Sequence, residues 1–182
     1  MNQPINRTTI AGARYLDLRQ AARATNRPTD ELLQLYALEG FLDRMLASRH
    51  ATNFVLKGGF LLPAFTERRP TRDVDLSAHA MSNDAAHIET VVNEIINVPL
   101  NDGITFETDR TRSETIREED AYAGVRVTVN GALATAKIAF HVDINVGDPI
   151  WPTPHIVELP RVLGGQAIRV TGYPIEMVMA EK

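Results

Sequence analysis

The stretch 54–77 constrains the fold more than any other part of this chain. It opens with the apolar run Phe54-Val55-Leu56, which predicts a short buried strand, and Gly58-Gly59 follows as a tight turn. About a dozen residues later come Asp73 and Asp75, which a single apolar residue separates. Residues i and i+2 of a strand face the same side, so the two carboxylates are predicted to lie on one face of the next strand.

Length and composition place the chain among ordinary globular proteins. Its 182 residues are enough for one domain, and we expect N-terminal helices over about 8–50 and a core over about 53–182. No apolar run approaches a membrane span, and the N-terminus lacks the pattern of a secretory signal, so we expect a cytoplasmic protein. The absence of cysteine excludes disulfides, thiolate metal sites and a cysteine nucleophile. The net charge of −4 argues against a protein that coats nucleic acid, although a local basic patch remains possible.

Hydrophobic periodicity predicts both helices and strands along the chain, which gives an α/β (α+β) fold. Leucines at helical spacing predict an amphipathic helix from Thr29, with a cap and an acidic first turn, to about His50, and a weaker helix precedes it. Alternation predicts a clear strand over 136–146, with Asp143 on its polar face. The other predictions are a brief helical segment through Phe65, strands near 74–76, 105–108, 125–129 and 167–170, a helix over about 84–96, a turn at Asn130-Gly131, and a helix opened by Pro174.

Three carboxylates are candidates for binding a metal ion. Asp73 and Asp75 would repel each other unless a cation lies between them, and Asp143 could supply a third carboxylate from its own strand. Oxygen ligands favour Mg²⁺ or Mn²⁺. Two such ions could activate an attacking hydroxyl and stabilise a leaving pyrophosphate.

Each of these features has an ordinary alternative when it is taken singly. A lone Asp-x-Asp also occurs at exposed strand ends, in glycosyltransferases and in structural calcium sites, and Gly-Gly is often only a turn. The combination in this order, with Lys57, Thr71 and Arg72 placed for phosphate charge, favours a nucleotide site. Neither a P-loop nor a dinucleotide-binding pattern is present.

Residues outside these motifs receive simpler interpretations. We interpret His79, His87 and His155 as surface residues, whereas His141 either lines the cleft or packs at the edge of the core. The arginines of the two N-terminal helices are interpreted as solvated: Arg14, Arg19, Arg23, Arg44 and Arg49.

At this point the motifs resemble a known family. The segments are Phe54 to Gly59, Arg69-Pro70-Thr71-Arg72-Asp73-Val74-Asp75-Leu76, Val142 to Asp148, and Tyr173-Pro174 through Ala180-Glu181-Lys182. Together they are similar to the nucleotidyltransferase toxins of the AbiEii/AbiGii type, which include the MenT enzymes. The resemblance spans most of the chain, and Lys-Gly-Gly with Arg-x-Thr-x-Asp-x-Asp is its most specific part.

The resemblance implies a polymerase-β-like nucleotidyltransferase core, with a mixed twisted sheet flanked by helices, and it implies a function. Such an enzyme transfers a nucleotide from an NTP, with magnesium, to an RNA acceptor, which in MenT-like members is the 3′ end of tRNA. It implies a cognate antitoxin as partner. It also implies metal binding by Asp73 and Asp75, a triphosphate at Gly58-Gly59, phosphate contacts near Lys57 and Arg72, and an active-site lysine at Lys182. Family members continue into a C-terminal helical half, which this sequence lacks, so we expect a shortened chain of uncertain competence.

Two readings from other classes stay open at this point. The first is a non-catalytic module that keeps the fold to bind a protein or RNA. The second is a nucleotidyltransferase that acts on a small molecule.

Overall fold

A computed structural model describes residues 5–64, 72–117, 123–147, 151 and 153–174, without the side chains of 62–64, 117 and 123. Its helices are α1 (Ile10–Thr25), α2 (Thr29–Ala47) and α3 (Ala85–Ile96). Its strands are β1 (Phe54–Lys57), β2 (Asp73–Ala78), β3 (Ile104–Phe106), β4 (Arg112–Arg117), β5 (Ala123–Leu133), β6 (Ala136–Val146), β7 (His155–Leu159) and β8 (Ile168–Gly172). Short 3-10 segments cover Ala51–Asn53, Gly58–Ala64 and Thr108–Arg110.

The strands form one mixed sheet in the order β3-β5-β6-β2-β1-β8-β7, and β4 pairs with the other end of β5. β2 runs parallel to β6, and β1 runs parallel to β8, whereas the remaining pairs are antiparallel. Of the central strands, β1 and β2 are consecutive in the sequence, whereas β6 comes from a distant part of it. The predicted mixed sheet flanked by helices is confirmed.

One face of the sheet carries the hydrophobic core. Ile138, Phe140, Val142 and Ile144 alternate along β6 and are buried, which confirms the predicted strand. α2 packs on β6 and α3 packs on β4 and β5, so the helices cover this face. The polar residues of β2 and β6 between the buried ones lie on the opposite face, away from the core.

The N-terminal helices begin and end at sequence signals. Thr9 caps α1 by accepting a hydrogen bond from the Gly12 amide at 3.1 Å, and Asn26 ends α1 in the left-handed region at φ 52°. α2 starts at Thr29 with the predicted acidic first turn. The predicted side-chain cap is wrong, because the capping position is Pro28, which has no acceptor in its side chain. None of the helices in the described part of the chain is long and apolar enough to cross a membrane.

The predicted turn at Asn130-Gly131 is wrong, because both residues lie inside β5. β5 and β6 are instead joined at Ala134-Thr135, where Ala134 has a φ of 53° and Leu133 pairs with Ala136. Glycine is needed at position 131 for a packing reason: a Cβ there would come within 2.8 Å of the Thr105 carbonyl oxygen. Gly131 therefore marks a position where β3 approaches the backbone closely, and not a turn of the chain.

Two strands lacked a recognisable signal. β4 reads Arg-Ser-Glu-Thr-Ile-Arg, and most of its described side chains are at least partly exposed. β7 places only Val157 and Leu159 in the core. Edge strands of this kind are stabilised by pairing with a neighbouring strand, and the hydrophobic pattern of a single segment cannot predict that pairing. The predicted helix from Pro174 and the end of the helical segment at Phe65 lie outside the described residues.

The interpretation of Arg44 as a solvated side chain is wrong. Arg44 is 3% exposed, and its guanidinium donates to the Asp102 carboxylate at 2.5 and 3.1 Å. It also donates to the carbonyl oxygens of Gly40 and Ile104 and lies over the Phe106 ring. This ion pair joins α2 to the start of β3, and helical periodicity could not reveal it because the partner is distant in sequence.

Removing the partner of this buried arginine should destabilise the fold strongly. We expect Asp102→Ala to lower the free energy of unfolding by about 3 kcal/mol, because a buried guanidinium would lose its counter-ion. Glu107→Ala is the control, since its ion pair with Arg110 is exposed and should contribute less than about 1 kcal/mol. Chemical denaturation of both variants measures the difference, and equal losses would contradict the assignment.

Candidate nucleotide and metal site

The register of the sheet places four charged residues in one transverse row, which we call the central row. Lys57 on β1 pairs with Asp75 on β2, Asp75 pairs with Asp143 on β6, and Asp143 pairs with Arg126 on β5. Directly paired residues project to the same face of a sheet. Two neighbouring carboxylates are therefore flanked by one cation on each side, across four adjacent strands.

The rows on either side of the central row are also polar. Asp73 pairs with His141, and its carboxylate lies 2.9 Å from the His141 Nδ1. On the other side, the buried Ser77 pairs with the buried Asn145. Asp73 and Asp75 are half-buried on the face opposite the core residue Val74, which confirms the predicted orientation of the two carboxylates.

The glycine turn after β1 lies directly against Asp75. Gly58 has a φ of 68°, and a Cβ on it would lie 2.0 Å from the Asp75 Oδ2. The backbone amide of Gly59 donates a hydrogen bond to the same carboxylate. The two motifs that the sequence singled out thus meet in space, and the turn fits closely around Asp75 only because position 58 has no side chain.

The central row raises the pKa of the Asp75 carboxyl to about 6. Burial is the largest cause, and the negative charges of Asp143 and Asp73 add to it. Lys57 and the Gly59 amide oppose the shift without cancelling it. Asp75 therefore lies where one more positive charge would be favourable.

Asp143 is held by an arginine that the sequence analysis did not identify. Arg126 donates to both oxygens of Asp143, at 2.8 and 2.7 Å, in a bidentate pair. This contact raises the pKa of the Arg126 guanidinium above its usual range. The alternation of β5 puts Arg126 on the polar face, but only the register with β6 could have shown its partner.

The donor set fits a divalent cation at Asp75 and its neighbours. The three carboxylates Asp73, Asp75 and Asp143 supply the oxygen ligands that Mg²⁺ prefers, and burial together with the two neighbouring carboxylates raises the pKa of Asp75. Within the described ranges, however, no group of three or more acidic or histidine side chains is gathered closely enough to hold a metal ion as it stands. Binding would require Arg126 and His141 to share or release the outer two carboxylates.

The structure describes some of the remaining predicted site residues and not others. Arg72 is exposed just before β2, and its carbonyl oxygen accepts a hydrogen bond from the His141 amide at 3.3 Å. Lys57 belongs to the central row. Thr71 and Lys182 lie outside the described residues, so their roles stay predictions. His79, His87 and His155 are exposed, which confirms their interpretation as surface residues.

The chain belongs to the family described as "Nucleotidyl transferase AbiEii toxin, Type IV TA system", whose model matches residues 40–182. The matched region contains the glycine turn and the whole central row. It begins within α2 and leaves out α1. The family predicted from the motifs is confirmed.

Two solved structures from Helicobacter pylori are similar to the chain. One is JHP933, with 16% identity and a TM-score of 0.49, and the other is a candidate nucleotidyltransferase, with 18% identity and a TM-score of 0.48. Each match covers 82% of this chain but only 55% and 56% of the solved chains, so this chain spans little more than half their length. No match was found among the curated proteins.

The fit of the turn around Asp75 predicts a difference between two glycines with left-handed backbone. Gly58→Ala should lower the melting temperature and weaken Mg²⁺ binding, because the new methyl group would displace the Asp75 carboxylate. Gly164→Ala is the matched control: its φ of 72° is similar, and no described atom lies within 4 Å of its added Cβ. Both variants bear the backbone strain of roughly 1 kcal/mol. Thermal unfolding and Mg²⁺ titration should show a much larger loss in the first, and similar losses would disprove the contact.

The raised pKa of Asp75 predicts a pH-dependent stability. Between about pH 4 and pH 6 the native state binds more protons at this site than the unfolded chain, so this carboxyl makes stability fall as pH rises. Asp75→Asn removes that penalty, and its melting temperature should rise relative to wild type from about pH 4.5 to about pH 7.5. Asp109→Asn, at an exposed aspartate, should show no such trend. A difference that stays constant with pH would refute the assigned shift.

Proposed function

We propose that this protein is a magnesium-dependent nucleotidyltransferase that moves a nucleotide from an NTP to an RNA acceptor, the 3′ end of tRNA. We further propose that it acts in the cytoplasm as the toxin of a toxin–antitoxin pair, with a cognate antitoxin protein as its partner. The observation that carries the proposal is the central row, in which two carboxylates lie side by side and one of them, Asp75, lies against a glycine turn. Membership of the AbiEii family supports the class of reaction and the toxin role.

The positions of the described side chains support the following residue roles. Asp73 and Asp75 bind Mg²⁺, and Asp143 joins them when Arg126 turns toward phosphate. Lys57, directly before the turn, and Arg72, directly before β2, neutralise the triphosphate, with Thr71 and Lys182 added by family resemblance. The backbone of Gly58 and Gly59 lies against the triphosphate, and the lack of a side chain at position 58 leaves room for Asp75 beside it.

The reaction is a substitution at the α-phosphorus of the NTP. A hydroxyl of the RNA forms a bond to this phosphorus, the bond to the bridging oxygen breaks, and pyrophosphate leaves while the hydroxyl proton is released. Mg²⁺, when bound, supplies the positive charge that favours the ionised hydroxyl and the leaving pyrophosphate. The protein's contribution is to orient the carboxylates and to place cations on both sides of them.

The ion pairs at the outer carboxylates favour one alternative, a non-catalytic member of the fold. Arg126 occupies both oxygens of Asp143, and His141 lies against Asp73. If these pairs persist when nucleotide is present, the site holds no metal and the fold serves only to bind a partner. A small-molecule acceptor is the other outcome that an assay must separate from RNA.

Transfer to RNA should depend on Asp75. With labelled NTPs, Mg²⁺ and total tRNA, the wild-type protein should label the RNA, and Asp75→Asn should lower the rate by more than about a hundredfold because a metal ligand is lost. Asp109→Asn should retain the wild-type rate. Undiminished transfer by Asp75→Asn would remove the metal role of this residue.

Thermal unfolding separates the catalytic from the non-catalytic interpretation without an acceptor. A functional site should be stabilised by NTP and Mg²⁺ together, and Asp75→Asn should abolish the shift. No stabilisation of the wild-type protein by any of the four NTPs would favour the non-catalytic alternative.

A further inference from the structure

The charge of the chain is divided unevenly between its first 27 residues and the rest. Positions 1–27 contain five arginines, a single aspartate and no lysine or glutamate, which gives a formal charge of +4. The remaining residues contain 14 basic and 22 acidic side chains, a formal charge of −8. A mildly acidic protein thus carries a strongly basic segment, most of which is α1.

Several of these arginines line two shallow depressions on α1 that share Arg23. The first is lined by Arg7, Leu16, Arg19, Gln20 and Arg23. The second runs over the end of the helix and is lined by Ala22, Arg23, Asn26, Arg27, Pro28 and Thr29. Leu16, Arg19, Gln20 and Arg23 follow helical spacing, so they form one face of α1. Neither depression contains a carboxylate in its lining.

Ion pairing distinguishes the arginines of this face. Arg7 pairs with Asp17 at 2.6 Å, and Arg27 pairs with Glu31. Arg19 lies over the Tyr15 ring, 5.9 Å from its centroid, and Arg23 is exposed without an ion pair to any described residue. Arg19 and Arg23 therefore keep charge available for a ligand, and four helical residues place their Cα atoms about 6 Å apart along the axis.

We propose that the basic surface formed by Arg19 and Arg23 of α1, with Arg7 and Arg27 on either side of the helix in sequence, binds the phosphate backbone of the RNA acceptor. The inference rests on the proposed function, since it names the surface that holds the same substrate. Successive guanidinium groups along a helix match successive phosphates, which accept bidentate hydrogen bonds from arginine. A folded protein partner fits less well, because interfaces between proteins combine arginine with large apolar or aromatic anchors, and Leu16 is the one large apolar side chain in the described lining of the two depressions.

The charge of the rest of the chain makes such a surface necessary. The two cations of the central row only balance its two carboxylates, and the residues after position 27 carry a formal charge of −8, so they do not attract an RNA backbone. The affinity for RNA must then come from a separate basic surface. α1 packs on α2, which packs on the strand that carries Asp143, so the basic face is fixed to the same rigid scaffold as the site.

The test measures RNA binding directly, without NTP or catalysis. Fluorescence anisotropy of labelled tRNA and of a short single-stranded RNA is recorded at several salt concentrations for wild type and for the double variant Arg19→Gln, Arg23→Gln. We expect the variant to bind about tenfold more weakly, and the slope of log affinity against log salt to fall by about 0.7 for each arginine with single-stranded RNA. Its melting temperature should match that of wild type, because both side chains lie outside the core.

Two matched variants control for net charge and for the loss of side chains. Arg49→Gln, Arg169→Gln removes the same charge from exposed arginines that lie off α1 and should leave RNA affinity close to wild type. Arg19→Lys, Arg23→Lys keeps the charge and should retain most of the affinity. Equal weakening by both glutamine pairs would show that net charge alone acts and would overturn the proposal.

Two further outcomes separate this inference from the proposed function. If the α1 variant loses RNA affinity while its stabilisation by NTP and Mg²⁺ is unchanged, the RNA surface and the nucleotide site are independent, as proposed. If wild type binds no RNA but transfers nucleotide to a small molecule, the inference fails and nucleotidyl transfer stands. Binding of α1 to an acidic protein with no RNA affinity would likewise refute the assignment.

Discussion

The repulsion between Asp75 and Asp143 is the constraint around which this structure is arranged. A parallel pair of strands places the two carboxylates side by side, where burial and mutual repulsion raise the pKa of Asp75 to about 6. Lys57 and Arg126 lie at the two ends of the same row, and the Gly59 amide donates a hydrogen bond to Asp75. Despite these partners, burial still disfavours the charged form of Asp75, so a cation beside this carboxylate would be favourable.

The glycine turn has a second role in this arrangement. The sequence suggests that Gly58-Gly59 exists to let a triphosphate approach the backbone, yet the described contact of Gly58 is with Asp75. One absent side chain can serve both purposes, because the space that the carboxylate fills lies beside the space that phosphate would occupy. Gly58 then determines both the position of Asp75 and the space proposed for the triphosphate, so a substitution there would change both.

Local signals predicted what depends on local geometry and failed where the cause lies across the sheet. Alternation along 136–146 and the spacing of Asp73 and Asp75 fixed which side chains share a face, because strand period needs no partner. The roles of Arg126 and Arg44 were not predicted, because each arginine pairs with a carboxylate on another element. The partners are Asp143 for Arg126 and Asp102 for Arg44. The turn predicted at Gly131 was wrong for the same reason. A glycine is needed there because Thr105 approaches closely from another strand.

The pairing of Arg126 with Asp143 gives the site two possible electrostatic states. While the Arg126 guanidinium donates to both oxygens of Asp143, this carboxylate acts on Asp75 only by electrostatic repulsion, and both of its oxygens are engaged. A triphosphate would compete for Arg126, since phosphate accepts the same bidentate hydrogen bonds, and would thereby free Asp143. Nucleotide and metal would then bind cooperatively, because each removes charge that opposes the other. In the proposed function, such a site would bind metal weakly until the nucleotide arrives, and Asp143 would then change from the partner of Arg126 to a metal ligand.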